Sequence, residues 1–320
     1  MMQRTAKAPP SSARKYHKYS WHNISRDFRK NWPLMLMLLP TIVFFIVFCY
    51  IPMVGLLMAF EDFKPNLGLF RSEFVGLENF TTFFTSVFCW RVIRNTLWLS
   101  VLQLIIVFPF TILFALLLNE LGSKKYKRTV QTISYMPNFI SMVVVAGIIM
   151  DFCASDGAIT SIVGAITGEY NNLLSLPGAW RPIYIISDIW QGVGFGSIIY
   201  VAALAGIDKS LYEAAEIDGA NRFQRILHVT IPGILDTIMI MLILRIGQMM
   251  SVGYEKTILL YNSQVYETAD IISSYVYRMG LLEADYGYST AVSLFNSVIN
   301  LILLCVTNTL SKKFTESSLF

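Results

Sequence analysis

Long apolar runs separated by short charged segments constrain the fold of this 320-residue chain more than any other feature. In lipid, a run of about 20 apolar residues is long enough to cross the bilayer as a helix that satisfies its own backbone hydrogen bonds. Six runs of this kind cover residues 34–60, 92–118, 130–152, 183–206, 233–252 and 290–310. We therefore predict an all-α integral membrane protein with six transmembrane helices.

The composition excludes the main soluble classes of protein. Hydrophobic residues make up 55% of the chain and charged residues only 14%, whereas soluble domains carry about 25% charged residues. A soluble protein of this composition would expose too much apolar surface to water. This excludes a soluble enzyme, a nucleic-acid binder and a disordered chain.

The distribution of charge predicts how the helices are oriented. Residues 1–30 and the segments after the second and fourth runs are rich in Lys and Arg, while the alternate segments are rich in Asp and Glu. Basic segments face the cytoplasm, so both termini are expected there. The predicted organisation is a basic cytoplasmic tail (1–30), a first transmembrane helix (31–60), an outer loop (61–91), a five-helix core (92–310) containing a cytoplasmic loop (207–232), and a cytoplasmic tail (311–320). The longest outer segment, about 251–289, is expected to hold at most short helices on the outer surface.

The cytoplasmic loop 207–232 has the composition of a docking helix. Ser210 and Glu213 have capping-box spacing, and Ala215 and Gly219, four residues apart, would share a smooth face that another surface can approach. Asp218 and Arg222 have the spacing of a helical ion pair. The alternative is an ordinary surface helix in which Glu213 only caps the N-terminus.

The same loop carries a motif known from transport proteins. Glu213-Ala214-Ala215, three further residues, Gly219, and then Val229-Thr230-Ile231-Pro232 resemble the EAA motif of permease subunits of binding-protein-dependent ABC importers. Val229 and Ile231 stand where Ile and Leu are usual. Asp218-Gly219-Ala220 is similar to the carbohydrate branch, the LplB-like members of the maltose-type permeases. The positions matching this coupling region are Glu213, Ala214, Ala215, Asp218, Gly219, Ala220, Arg222 and Pro232.

The resemblance implies a type I importer permease (MetI-like) fold in a bacterial cytoplasmic membrane. It implies that the loop docks on a cytosolic ATPase and couples ATPase closure to alternating access. The implied partners are a second permease subunit in a heterodimer, two ABC ATPase subunits and an extracellular binding protein docked on the acid-rich outer loops. The substrate would be a carbohydrate, an oligosaccharide or modified sugar. This chain has no GxxxxGK[ST] phosphate loop, so ATP and Mg would be used by the partner ATPase. We expect no cofactor, metal or nucleic acid on this chain, and no enzymatic role for it.

Polar residues inside the apolar runs are candidates for a substrate pathway, because ionisable groups at membrane depth are costly and usually face a cavity or partner. Sugar hydroxyls would suit the polar groups, and aromatic rings would suit sugar C–H faces. The alternative is that these side chains only hydrogen-bond neighbouring helices. If they line a cavity, it is expected between spans three to six. The candidates are Asp188, Trp190, Gln191, Tyr200, Arg245, Gln248, Asn296 and Asn300.

Two other classes of function compete with this reading. A self-sufficient channel or secondary transporter would be favoured by inverted repeats or a chain of buried ionisable groups, and the sequence contains neither. An intramembrane enzyme lacks an HExxH or GxSxG motif. Gly192 and Gly196 superficially resemble part of a channel filter, but their GxxxG spacing favours close helix packing. Pro109 and Pro137 are expected to bend the second and third spans.

Overall fold

The computed structural model describes residues 31–315. The predicted N-terminal tail (1–30) and residues 316–320 of the predicted C-terminal tail lie outside this range. The chain divides into two compact units with the boundary between Gly55 and Leu56.

The described part of the first unit is a single apolar rod. An α-helix (Trp32–Phe44) runs into a π-helical segment (Phe45–Tyr50) and then into a 3-10 segment (Ile51–Phe60) that crosses the unit boundary. No side chain of Trp32–Tyr50 is buried. The continuous stretch Trp32–Phe60 is the first candidate membrane span.

The second unit holds the other candidate spans. Four are long apolar helical stretches: Val87–Glu120, Met142–Thr167, Pro177–Ala205 and Tyr286–Lys312. The remaining one is a helix pair, Arg222–Gly233 and Leu235–Gly247, bent by 63°. Counting the bent pair as one span, the six predicted spans and the helical fold class are confirmed.

The elements of the second unit have the following bounds. The α-helices are Glu78–Thr85, Val87–Leu102, Phe108–Glu120, Lys124–Tyr135, Met142–Cys153, Ala158–Thr167, Pro177–Gly196, Ile198–Ala205, Lys209–Ile217, Arg222–Arg225, Ile231–Gly233, Leu235–Gly247, Tyr254–Leu260, Tyr266–Ala269, Ile272–Tyr277 and Tyr286–Thr315. The π-helical segments are Gln103–Val107, Ile226–Thr230 and Arg278–Leu282, and the 3-10 segments are Met136–Phe139, Leu173–Ser175 and Ser263–Val265. The strands Glu61–Asp62 and Glu73–Phe74 pair antiparallel, with Glu61 opposite Phe74.

The third and fifth spans differ from their predicted bounds. The run 130–152 is interrupted by the 3-10 segment that contains Pro137, so Lys124–Tyr135 is a separate basic helix and the apolar span is Met142–Thr167. The predicted fifth span, 233–252, holds only the helix Leu235–Gly247. The missing length is supplied by Arg222–Gly233 beyond the bend.

The prediction for the outer segment 251–289 is wrong. Its helices pack into the protein rather than lie on its surface, since Lys256, Thr257 and Leu260 are buried in the first of them. Ile271 and Ile272 farther along are also fully buried. Apolar residues spaced along this segment form part of the core, together with Trp180 and Tyr184 of the Pro177–Gly196 helix.

Close helix packing occurs at Gly194 and at the predicted Gly196, but not at the predicted Gly192. A Cβ atom at Gly194 would overlap the backbone carbonyl of Ser134, near the end of the Lys124–Tyr135 helix. At Gly192 a Cβ atom would meet nothing within 4 Å, and at Gly196 it would touch Thr111 Cγ2 at 3.3 Å. The absence of a side chain at Gly194 is therefore what allows the basic helix to approach the span.

Candidate functional site

A cavity of about 790 Å³ lies between the helices of the second unit. This volume is in the range of about 300–1,000 Å³ typical of small-molecule sites. Its wall comes from the second, fourth and fifth spans, the start of the third, and the Tyr254–Leu260 helix. The sequence prediction placed the wall in spans three to six. In the described chain the sixth span contributes no lining residue and the second span does.

Five of the eight sequence-predicted pathway residues line this cavity: Asp188, Gln191, Tyr200, Arg245 and Gln248. The other three lie elsewhere. Trp190 is 45% exposed on the outer surface of its helix, and Asn300 is used in packing. Its side-chain oxygen accepts from Met250 N at 2.9 Å and its amide donates to Ser251 Oγ at 2.8 Å. The side-chain oxygen of Asn296 is buried without a hydrogen-bond partner.

A polar network joins four elements around the cavity. Lys256 Nζ lies 2.7 Å from Asp188 Oδ1 and donates to Tyr184 O at 3.2 Å. Gln103 donates to the other oxygen of Asp188, and Arg245 Nη2 donates to Gln103 Oε1 at 2.7 Å. The network therefore links the second, fourth and fifth spans to the helix that begins at Tyr254.

Lys256 is the network's least accessible charge, with 1% of its surface exposed. Burial lowers the pKa of its ammonium group, while the charge and hydrogen bond of Asp188 act in the opposite direction. The ammonium also lies 4.5 Å from the centre of the Tyr184 ring, where the ring's negative face stabilises it. The ion pair therefore fixes the Tyr254–Leu260 helix against the fourth span.

Sequence reasoning missed Gln103, Tyr254 and Lys256. Gln103 is the only strongly polar residue near the middle of the run 92–118, which is a signal that could have been used. Lys256 is one of two cations in the acid-rich segment 251–289, and that contrast also marks it. Tyr254 carries no such signal, because only the inward fold of this segment brings its half-exposed ring to the cavity wall.

A second charged cluster surrounds the buried side chain of Asp270, at the predicted outer ends of the spans. Arg278 Nη2 and Arg91 Nη2 lie 2.7 and 3.1 Å from Asp270 Oδ2. Ser274 Oγ donates to Oδ1 at 2.9 Å, and Asn95 Nδ2 donates to the backbone carbonyl of Asp270 at 3.0 Å. This predicted outer-loop acid is therefore not available to a docking partner.

The predicted coupling region is a hairpin rather than one continuous helix. The first helix, Lys209–Ile217, is capped by Asp208 and not by Ser210, since Ser210 N donates to Asp208 Oδ1 at 2.9 Å. Hydrogen bonds from the backbone and side chain of Ser210 lower the pKa of Asp208. Gly219 lies in the left-handed region with φ of 76°, the conformation that ends a helix. Ala215 and Gly219 therefore do not share a helical face.

The second arm of the hairpin starts with its own cap. Asn221 and Gln224 form a reciprocal capping box at the start of the Arg222–Arg225 helix. Arg225 Nη1 lies 3.5 Å from Glu216 Oε2, and this pair replaces the predicted pair of Asp218 with Arg222, which is not formed in the part of the chain that the structure describes. Tyr212 OH and Thr230 Oγ1, 3.1 Å apart, join the two arms.

The tip of the hairpin has an exposed apolar surface. Ile217 and Phe223 are 86% and 72% exposed. Glu213 and Ala214 lie on the exposed side of the first arm and Ala215 is half-buried. Ala220 is half-buried at the turn, and Pro232 is exposed at the base of the second arm. Exposed apolar residues beside charged ones are typical of a surface that docks on another protein.

Comparison with known proteins identifies the family. Residues 108–316 match the family described as the inner membrane component of binding-protein-dependent transport systems. The chain belongs to this family. As a family member it is a transport subunit of an ABC importer rather than a catalytic one, and the bacterial inner membrane is its location.

Individual relatives and solved structures resemble the chain over nearly its whole length. Protein LplB of Bacillus subtilis (strain 168) is 43% identical over 91% of this chain and 92% of its own length. The polygalacturonan/rhamnogalacturonan transport system permease protein YteP of the same organism is 41% identical over 90% of each chain. A chain in the crystal structure of a bacterial ABC transporter involved in the import of the acidic polysaccharide alginate is 44% identical, with a TM-score of 0.84, covering 92% of this chain and 99% of that one.

Proposed function

We propose that this permease subunit translocates a carbohydrate, an oligosaccharide or modified sugar, through the cavity beside Asp188 and Arg245. The observation that carries the proposal is the cavity itself, a space of about 790 Å³ whose wall carries both apolar and polar side chains. Gln191 and Gln248 offer hydrogen-bonding groups for sugar hydroxyls, and the Tyr254 ring offers a face for sugar C–H groups.

The relatives support a carbohydrate substrate. YteP is named for polygalacturonan/rhamnogalacturonan transport, and the matching crystal structures are of an alginate importer, one of them in complex with a periplasmic protein bound to an alginate pentasaccharide. By analogy, an extracellular binding protein would deliver the substrate to this permease. A second, different permease subunit would complete the membrane part.

The hairpin of residues 207–232 is proposed to couple the permease to two ATPase subunits, which would use ATP and Mg. Its exposed tip at Ile217 and Phe223 would dock on the ATPase, and its second arm continues through the bend into the fifth span, which carries Arg245. Movement of the hairpin would therefore reach the cavity wall and bias the equilibrium between its inward- and outward-facing states.

Co-purification tests this function. The full chain is tagged in its native host, extracted gently and analysed for bound subunits, alongside the double variant Glu213→Arg/Ile217→Asp. The wild type should recover a second permease and a P-loop ATPase. The variant should lose the ATPase but keep the second permease, because both changed side chains are exposed on the hairpin.

Glu169→Arg is the matched control, since Glu169 is exposed but lies at the predicted outer side. It should retain every subunit. Recovery of a homo-oligomer without an ATPase, together with solute flux through the purified chain alone, would support the competing channel or secondary transporter and contradict the proposal.

A further inference from the structure

Arg245 is a cation in the cavity wall with a neutral partner. It lies in the last turn of the Leu235–Gly247 helix, and Nη2 donates to the amide oxygen of Gln103 at 2.7 Å. Within residues 31–315, no carboxylate forms an ion pair with it. The remaining N–H groups of the guanidinium are therefore not neutralised by any acid within that range.

The carboxylates that line the cavity are accounted for. Asp188 pairs with Lys256 at 2.7 Å and accepts a hydrogen bond from Gln103, so both of its oxygens are used within the network. Glu255 also lines the cavity, but it is exposed and forms no ion pair in the described chain. Gln103 accepts from Arg245 and donates to Asp188, and this double role holds Arg245 apart from the one acid in its network.

Arg245 is exposed to the cavity, so its remaining N–H donors are accessible to a solute. An ionisable residue within a membrane span faces a partner or a water-filled cavity, and the negative end of the helix dipole at Gly247 compensates Arg245 only in part. A planar guanidinium has a fork of N–H donors that matches a carboxylate in bidentate geometry. The cavity therefore contains a site prepared for an anionic group of the solute.

We propose that the carbohydrate carried through this cavity bears carboxylate groups and that Arg245 binds one of them. This rests on the proposed carbohydrate transport and adds the chemical class of the substrate. Arg245 acts as the specificity-determining residue for the acidic group, and Glu255 acts against it by repelling the same group. Removing the charge of Arg245 should therefore weaken binding of the acidic sugar, and removing the charge of Glu255 should strengthen it.

Equilibrium dialysis can measure the preference of the permease cavity for an acidic sugar independently of the specificity of the binding protein. The permease is purified with its co-purifying subunits but without the binding protein, and labelled trigalacturonate is compared with its methyl ester, which has the same sugar and no charge. The wild type should bind the acid more tightly than the ester. Arg245→Gln should weaken binding of the acid about tenfold relative to the ester, because only the acid loses a charge-assisted contact.

Two further variants control for structure and charge. Glu255→Gln should strengthen binding of the acid, and Arg245→Lys should retain part of the preference because it keeps the charge but not the fork of donors. Equal binding of acid and ester by the wild type, an unchanged preference in Arg245→Gln, or no binding of either would overturn the inference. A preference for trehalose 6-phosphate over trigalacturonate would overturn the carboxylate assignment. ATP-driven uptake of a neutral oligosaccharide would then still support the proposed function.

Discussion

At the residue scale, the most consequential feature is that two carboxylates, the buried Asp270 and the half-buried Asp188, hold the loop 251–289 inside the protein. Asp270 is bound by Arg91 and Arg278, and Asp188 is bound by Lys256. The Arg91–Asp270 and Lys256–Asp188 pairs join this loop to residues distant in sequence. Ion pairs removed from water contribute little net stability, but the loss of one partner is strongly destabilising because it leaves a charge uncompensated.

Asp270→Asn should therefore destabilise the protein by about 3 kcal/mol. The amide keeps the shape of the side chain but leaves both arginines without their acid, and each is largely shielded from water. Denaturant unfolding of the purified chain in detergent measures the change. Glu267→Gln, at an exposed carboxylate three residues away, should lie within about 0.5 kcal/mol of the wild type, and an equal loss in both variants would contradict the prediction.

Single residues also show where sequence reasoning reaches its limit. Hydropathy could identify Asp188 and Arg245, because a charge in an apolar run is visible without knowing the fold. The role of Lys256 depends on a segment of mixed polarity folding inward, which no local pattern indicates. The partners of Arg245 and Asp188 could not be predicted either, since Gln103 lies 142 and 85 residues away from them.

At the element scale, the number of spans was predictable and their interruptions were not. Apolar length identifies a span, but it does not register the Pro232-Gly233 pair that directly precedes the 63° bend. The turn at Gly219 was misread as helix because its neighbours are good helix formers and the sequence does not reveal a positive φ. Pro137 was correctly expected to disturb a helix, yet the prediction placed one span across it instead of two separate helices.

Gly194 offers a test of packing between elements. Gly194→Ala should destabilise the protein, because the new methyl group would overlap the Ser134 carbonyl and push the Lys124–Tyr135 helix away from its span. An overlap of this kind costs about 1–3 kcal/mol. Unfolding in detergent again provides the measurement.

Gly192→Ala is the matched control, two residues away in the same helix with open space at the Cβ position. It should be neutral or stabilising by up to about 1 kcal/mol, because Ala favours the helix over Gly. If both alanine variants unfold alike, the close approach at Gly194 does not limit stability.

At the scale of the whole molecule, the charge bias predicts the orientation, and labelling can test it. In a chain without its four native cysteines, Glu169→Cys should react with a membrane-impermeant maleimide in cells stripped of any outer membrane. Lys124→Cys should react only after permeabilisation. Both positions are exposed, so access to the reagent depends on the side of the membrane. The reverse pattern would place both termini outside.

The bent fifth span has a mechanical consequence. The helical segment Arg222–Gly233 has 12 residues and is about 18 Å long at about 1.5 Å per residue. It acts as a lever arm that joins the helix Leu235–Gly247 at the 63° bend. Tilting such an arm by 10° displaces its tip by about 3 Å. A displacement of a few ångströms at the hairpin is thus enough to change the angle between the two helices of the fifth span by about 10°.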